Sequence, residues 1–177
     1  MRRWTLWTRV RQLLSAGLPV ICLHGLTRNS RDFEVIAPRI AALGRRVIAP
    51  DVRGRGRSAN DPDPAHYVAA VYAQDVVKLM DVLGIERAVF IGTSMGGLIT
   101  MVLGTTAPDR IAASVLNDVG PRLNVEGLSR IANYVGHTRP VATWGEAAEA
   151  VRAIAGSAYP ARLDDDEFWI AFAHRTF

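Results

Sequence analysis

A serine between two glycines, placed directly after an apolar run, is the feature that most constrains this chain. Ala88-Val89-Phe90-Ile91 is typical of a buried strand, and Gly92-Thr93-Ser94-Met95-Gly96 follows it. Apolar residues at helical spacing come next, so the serine lies between a strand and a helix. This context predicts a sharp turn that raises the Ser94 hydroxyl above a sheet edge, beside the N-terminus of the helix. A glycine-rich turn without chemistry is the alternative that the motif by itself leaves open.

Four short apolar runs alternate with helical patterns in the first two thirds of the chain. The runs occupy residues 20–23, 47–49, 88–91 and 113–116. This alternation predicts an α/β fold, with a mostly parallel sheet and helices on both faces. In such sheets the active site lies at the carboxyl ends of the strands. Polar residues follow all four runs at that position: His24, Asp51, Ser94 and Asp118.

The same patterns divide the chain into three segments. Residues 1–17 are atypical, residues 18–120 hold the α/β core, and residues 121–177 show no strand pattern. Within the core, Pro64 is suited to the first turn of a long helix that Gly84 ends. In the last segment, Thr143 and Glu146 have the spacing of a capping box at the start of a helix. We therefore expect residues 121–177 to form a helical cap segment, incomplete, over the sheet.

Composition and charge exclude several classes of protein. Net charge is +4, and the one dense basic run is Arg53-Gly54-Arg55-Gly56-Arg57. A nucleic-acid patch is the alternative for that run, but neither interleaved aromatic residues nor a nucleic-acid motif accompanies it. Cys22 is the only cysteine, which excludes an internal disulfide, and metal-ligand spacing is absent. No apolar run approaches a membrane span, so we expect a cytoplasmic protein that needs neither metal nor cofactor.

Three motifs in order resemble the α/β-hydrolase superfamily, of the esterase, lipase and C–C hydrolase type. They are the strand and loop Val20-Ile21-Cys22-Leu23-His24-Gly25-Leu26, the loop at residues 51–58 with the form D-x-R-G-x-G-x-S, and the serine turn at residues 92–96. The resemblance covers roughly residues 18 to 120. It implies a small-molecule substrate, no cofactor, and an N-terminal portion of the family's fold.

The resemblance also implies roles for individual residues. Ser94 would be the nucleophile, and the backbone N–H groups of Leu26 and Met95 would form an oxyanion hole. His24, Gly25, Asp51 and Arg53 would support the two loops rather than react. A serine at this turn, instead of an aspartate, points away from epoxide hydrolases and haloalkane dehalogenases. It favours an ester, lactone, thioester or C–C bond as the bond that is broken.

The base that such a serine needs is not in its expected place. The family's order is serine, then an acid, then a histidine after the last strand, and the four histidines here are His24, His66, His137 and His174. The first two precede Ser94, and no strand pattern precedes the last two. Asp118 is a candidate acid, with a structural role as its alternative. We therefore expect a hydrolase fragment with impaired or no activity, and the alternative is a non-catalytic module that binds small molecules.

Both ends of the predicted core depart from the family pattern. In residues 1–16, arginines break any period-2 pattern, which suggests the hypothesis of an altered reading frame. At the other end, the fourth strand would keep an unpaired edge where further strands belong, and such edges invite aggregation. The sequence does not determine the oligomeric state.

Overall fold

In the structure, a computed structural model, the described residues are 6–7, 17–122, 129, 131, 133, 135 and 140–176. They form two compact units, Met1–Gly120 and Pro121–Phe177. The first unit holds a sheet with helices, and the described residues of the second hold helices and turns. His137 lies outside the described residues.

The sheet has five strands in the order β1-β3-β2-β4-β5. The strands are β1 Leu6–Trp7, β2 Val20–Leu23, β3 Val47–Pro50, β4 Ala88–Thr93 and β5 Ile111–Asn117. Strands β3, β2, β4 and β5 run parallel, with Ile21 opposite both Ile48 and Phe90. Strand β1 pairs antiparallel to β3, with Leu6 opposite Pro50. The mostly parallel sheet is confirmed, while β1 is an additional strand that is too short for a period-2 pattern to reveal.

The described residues of the first unit contain three α-helices. They are α1 Ile36–Ala42, α2 Ala69–Val82 and α3 Met95–Thr106. The long helix expected from Pro64 begins later, because Pro64–His66 forms a separate 3₁₀ turn that the Asp63 side chain caps. Helix α2 then starts after Val68, whose backbone is extended.

The two faces of the sheet pack against different helices. Along β2, Ile21 and Leu23 lie in a buried cluster with residues of α2 and α3, including Leu79, Met80, Ile99 and Leu103. The alternate residues Val20 and Cys22 pack with Phe33 and with partly buried residues of α1. This period-2 alternation confirms the helices on both faces. Burial also raises the pKa of the Cys22 thiol to about 12, so the residue packs as a small apolar side chain.

The second unit contains α4 Trp144–Ala155 and α5 Asp166–His174. Thr143 caps α4 by accepting from the Glu146 N–H at 3.2 Å, and the Glu146 carboxylate accepts from the Ala142 N–H at 2.7 Å. Trp169 of α5 is fully buried, and its indole N–H donates to the Arg162 carbonyl at 2.6 Å. Within the described parts of the chain, none of the helices has the length and apolar character needed to cross a membrane.

Candidate active site

Ser94 occupies a strained turn between β4 and α3. Its backbone has φ 50° and ψ −113°, a conformation that L-residues rarely adopt. Its N–H donates to the carbonyl of Asn117 on β5 at 2.8 Å, and its own carbonyl accepts from the Gly97 N–H at 2.9 Å. These bonds hold the turn from both sides. Strain that the surrounding structure maintains in this way is characteristic of functional sites.

The two glycines of the turn are required for different reasons. A Cβ on Gly92 would lie 2.4 Å from the Gly96 carbonyl oxygen, a clash across the turn. A Cβ on Gly96 would instead lie 2.0 Å from the carbonyl oxygen of Leu23, on strand β2. Gly92 therefore closes the turn, whereas Gly96 allows α3 to approach the sheet.

His24 supports the loop after β2 through both ring nitrogens. Its Nε2 accepts from the Val52 N–H at 3.0 Å, so Nδ1 carries the proton and donates to the Gly25 carbonyl at 2.8 Å. The imidazole is fully buried, and burial lowers its pKa below the usual value of 6.5. With both nitrogens occupied, His24 is a neutral structural group.

Two backbone N–H groups near Ser94 have no partner among the described residues. They belong to Leu26 and to Met95, the first residue of α3. The Gly25–Arg28 turn reaches Ser94, because a Cβ placed on Gly25 would lie 3.8 Å from the Ser94 Cβ. The Gly25 carbonyl that His24 holds belongs to the same peptide plane as the Leu26 N–H. In a trans peptide the two point in opposite directions, so His24 fixes the direction of that N–H.

Asp51 organises the loop after β3. Its buried carboxylate accepts from the Ser30 N–H at 2.8 Å and from the Arg57 N–H at 2.9 Å. Gly56 has φ 52°, and a Cβ there would lie 2.4 Å from this carboxylate. The carboxylate thus joins two loops at the carboxyl edge of the sheet.

Arg53 connects that loop to α2. Its guanidinium forms two hydrogen bonds with Asp75, at 2.8 and 2.7 Å, and a third bond with the buried Asp61. Arg55, the middle arginine of the run, donates to two backbone carbonyls. The centre of the basic run is therefore engaged within the protein, which argues against a nucleic-acid surface there.

An acid and a base hydrogen-bonded in sequence to the Ser94 hydroxyl are absent from the part of the chain that the structure describes. Among the described residues, nothing hydrogen-bonds to the Ser94 hydroxyl, and Asp118 is exposed at the end of β5 with φ 56°. His66 lies 3.1 Å from Asp61, and His174 stacks on Trp144 with ring centroids 3.7 Å apart. No described group of three or more His, Cys, Asp or Glu residues could hold a metal ion.

Sequence reasoning missed several residues that shape this region. Asp61 and Asp75, the partners of Arg53, belong to no motif, and the contact of Arg55 with Leu26 spans 29 positions. An uncompensated run of arginines is the one signal that could have pointed to buried carboxylate partners elsewhere in the chain.

The sequence of this chain is similar to those of several known proteins. A sequence model of the family described as alpha/beta hydrolase fold matches residues 19–155. The 3-hydroxybutyrate-oligomer hydrolase of Cupriavidus necator is 43% identical over 117 residues, which are 66% of this chain and 40% of that protein. Esterase YbfF of Escherichia coli is 38% identical over 103 residues, 58% of this chain and 39% of that protein.

A solved structure extends the similarity to most of the chain. An alpha/beta hydrolase from Novosphingobium aromaticivorans is similar with a TM-score of 0.83 and 49% identity, over 90% of this chain and 55% of that one. The chain therefore spans about 40% of the length of the two relatives above, and 55% of this structure.

Proposed function

Because this chain belongs to the α/β-hydrolase fold family, we propose that Ser94 is the nucleophile of a site for hydrolysis of an ester-type bond. The observation that carries the proposal is the strained Ser94 turn, with the unpartnered N–H groups of Leu26 and Met95 beside it. In this scheme Ser94 Oγ attacks the carbonyl carbon, and the two N–H groups stabilise the oxygen as it becomes negative. The tetrahedral species then expels the alcohol, which takes up a proton, and water releases the acid.

An ester is the substrate class that we propose within the family. One relative is named for oligomers of 3-hydroxybutyrate, and another is named as an esterase. Units of a hydroxy acid are joined through ester bonds, so both names refer to the same kind of linkage. Lactones, thioesters and C–C bonds are the remaining candidates, since each passes through an oxyanion at the same position.

We propose that turnover by this chain is impaired, because a serine is a weak nucleophile without a base. His24 uses both ring nitrogens within its loop, and the other described histidines contact acidic or aromatic side chains. We expect activity to depend on a longer protein. The share of its relatives that this chain spans, 40% and 55% of their lengths, is in keeping with this expectation. From composition we also propose a cytoplasmic location.

A fluorophosphonate probe tests the nucleophile. We expect slow labelling that Ser94→Ala abolishes and that Ser114→Ala, an exposed serine on β5, leaves unchanged. Added imidazole should accelerate hydrolysis of an activated ester by the parent chain beyond its effect on Ser94→Ala, because it supplies the base. A parent chain that takes up no label and shows no Ser94-dependent rescue by imidazole would favour the second function, a non-catalytic small-molecule-binding module.

A further inference from the structure

Arg55, in the loop after β3, directly contacts the Gly25–Arg28 turn. Its Nε donates to the Leu26 carbonyl at 2.8 Å, and its Nη1 donates to the Arg53 carbonyl at 3.1 Å. The guanidinium also lies over the ring of Tyr67, 5.8 Å from the centroid. Resting on the function proposed above, we propose that Arg55 is a positioning residue that aligns the Leu26 N–H toward a substrate oxyanion.

The bond to Leu26 acts on the most adjustable part of the turn. The Arg28 N–H donates to the Gly25 carbonyl at 3.2 Å, so residues 25–28 form a β-turn with Leu26 and Thr27 at its centre. Type I and type II turns differ mainly by a flip of the peptide between the two central residues. The carbonyl of that central peptide is the Leu26 carbonyl, and Arg55 holds it.

Both peptide planes that flank the Leu26 Cα are therefore fixed. The plane before it, which carries the N–H, is held by His24 through the Gly25 carbonyl at 2.8 Å. The plane after it is held by Arg55. A flip of the second plane alone changes ψ of Leu26 and φ of Thr27 and leaves the Leu26 N–H in place. The contribution of Arg55 is therefore to anchor the Leu26 Cα from its second side, which limits rocking of the first plane, and of its N–H, about the His24 bond.

Arg55 differs from Arg28 and Arg53 in its partners, because its guanidinium binds backbone carbonyls rather than carboxylates. Arg28 pairs with Asp32, and Arg53 pairs with Asp61 and Asp75. Arg55 is partly buried, and in the described parts of the chain it has no carboxylate partner. Partial burial of an unpaired cation costs stability. An apolar side chain of similar length would therefore keep the fold, so the arginine contributes more to the conformation of the turn than to stability.

The test replaces the guanidinium and keeps the length of the side chain. Arg55→Met removes both donors, Arg55→Lys keeps the charge but not the planar pair of donors, and Arg39→Met is the matched control on the exposed side of α1. In Arg55→Met we expect the Arg28 amide to exchange with solvent about tenfold faster, while the urea midpoint stays at the parent value or rises. Arg55→Lys should be intermediate, and Arg39→Met should match the parent.

The second readout is the rate at which Ser94 reacts with the fluorophosphonate, relative to the parent. A fall of about tenfold is expected in Arg55→Met, because a small misalignment of one donor is enough to slow such reactions. Unchanged exchange at Arg28 would overturn the proposal, and so would faster exchange with an unchanged labelling rate. A parent chain that is not labelled contradicts the proposed function alone, and the exchange of Arg28 then decides the role of Arg55.

Discussion

His24 is fully buried, and each ring nitrogen forms a hydrogen bond with the backbone of one of the two loops at the site. Protonation would place a second N–H against the Val52 N–H, which is itself a donor. The folded protein therefore resists protonation of this imidazole, and burial lowers its pKa below 6.5. A residue of the type usually sought as a catalytic base is here committed to holding a peptide plane.

This predicts an acid-sensitive fold at the scale of a single residue. Around and below pH 6.5 the unfolded chain binds a proton at His24 more readily than the folded protein does, so the free energy of unfolding falls as the pH falls. The stabilisation is complete above that pH and is lost as the pH drops toward the lowered value. Urea unfolding between about pH 8 and pH 5 measures this slope, to which His24 contributes a positive term of at most about one proton.

His24→Gln supplies the comparison for this measurement. The glutamine side chain offers an acceptor and a donor but does not titrate. The free energy of unfolding of His24→Gln should therefore depend less steeply on pH than that of the parent. The two sequences are otherwise identical, so the difference between the slopes isolates position 24. Equal slopes in the two proteins would contradict the assignment of the acid sensitivity to His24.

Helix α3 shows how two glycines in one element can have opposite effects on stability. Gly96 is buried, and a Cβ there would lie 2.0 Å from the backbone of β2. Gly104, two turns later, is exposed, and a Cβ there would meet no atom within 4 Å. Gly96 thus faces the sheet, whereas Gly104 faces solvent.

We therefore predict that Gly96→Ala destabilises the protein and that Gly104→Ala stabilises it. The first change forces the helix away from β2, at a cost of about 2 kcal/mol or more. The second replaces glycine in a helix, which contributes about 1 kcal/mol in favour of folding. The free energies of unfolding from urea titrations test both signs, and destabilisation of equal size at the two positions would disprove the packing argument.

Sequence patterns predicted the four longer strands of this protein better than its shortest elements. Four strands were predicted within two residues of their observed ends, because each is an apolar run buried on both faces or bounded by polar residues. Strand β1 was missed, and the helix expected at Pro64 starts at Ala69. Short elements that tertiary contacts stabilise leave too few residues for a period to be read.

At the scale of the whole molecule, β5 is the strand whose environment least matches its sequence. Val115 and Leu116 point to opposite faces, yet they are 54% and 41% exposed. In the described residues β5 pairs with β4 alone. A strand that is apolar on both faces and whose second edge pairs with none of the described residues is a template for pairing with another chain.

We predict that this strand drives self-association of the protein. Val115→Lys should lower the weight-average mass in sedimentation experiments at high concentration, because a charge on an edge strand opposes pairing. Val82→Lys is the control, since Val82 is 81% exposed and belongs to helix α2 rather than to a strand. If both substitutions change the mass equally, or neither does, the association does not depend on β5.

The sequence by itself determined the α/β class, the parallel strands and the location of the Ser94 turn. These depend on local properties: apolar runs, glycines without side chains, and polar residues at strand ends. The tertiary structure alone decided that Gly96 faces β2, that Asp61 and Asp75 bind Arg53, and that Arg55 holds the Leu26 carbonyl. Such contacts join residues far apart in the chain through hydrogen-bond geometry, which leaves no periodic or compositional trace. The candidate nucleophile was therefore readable from the sequence, while the groups that orient its surroundings emerge only from the folded chain.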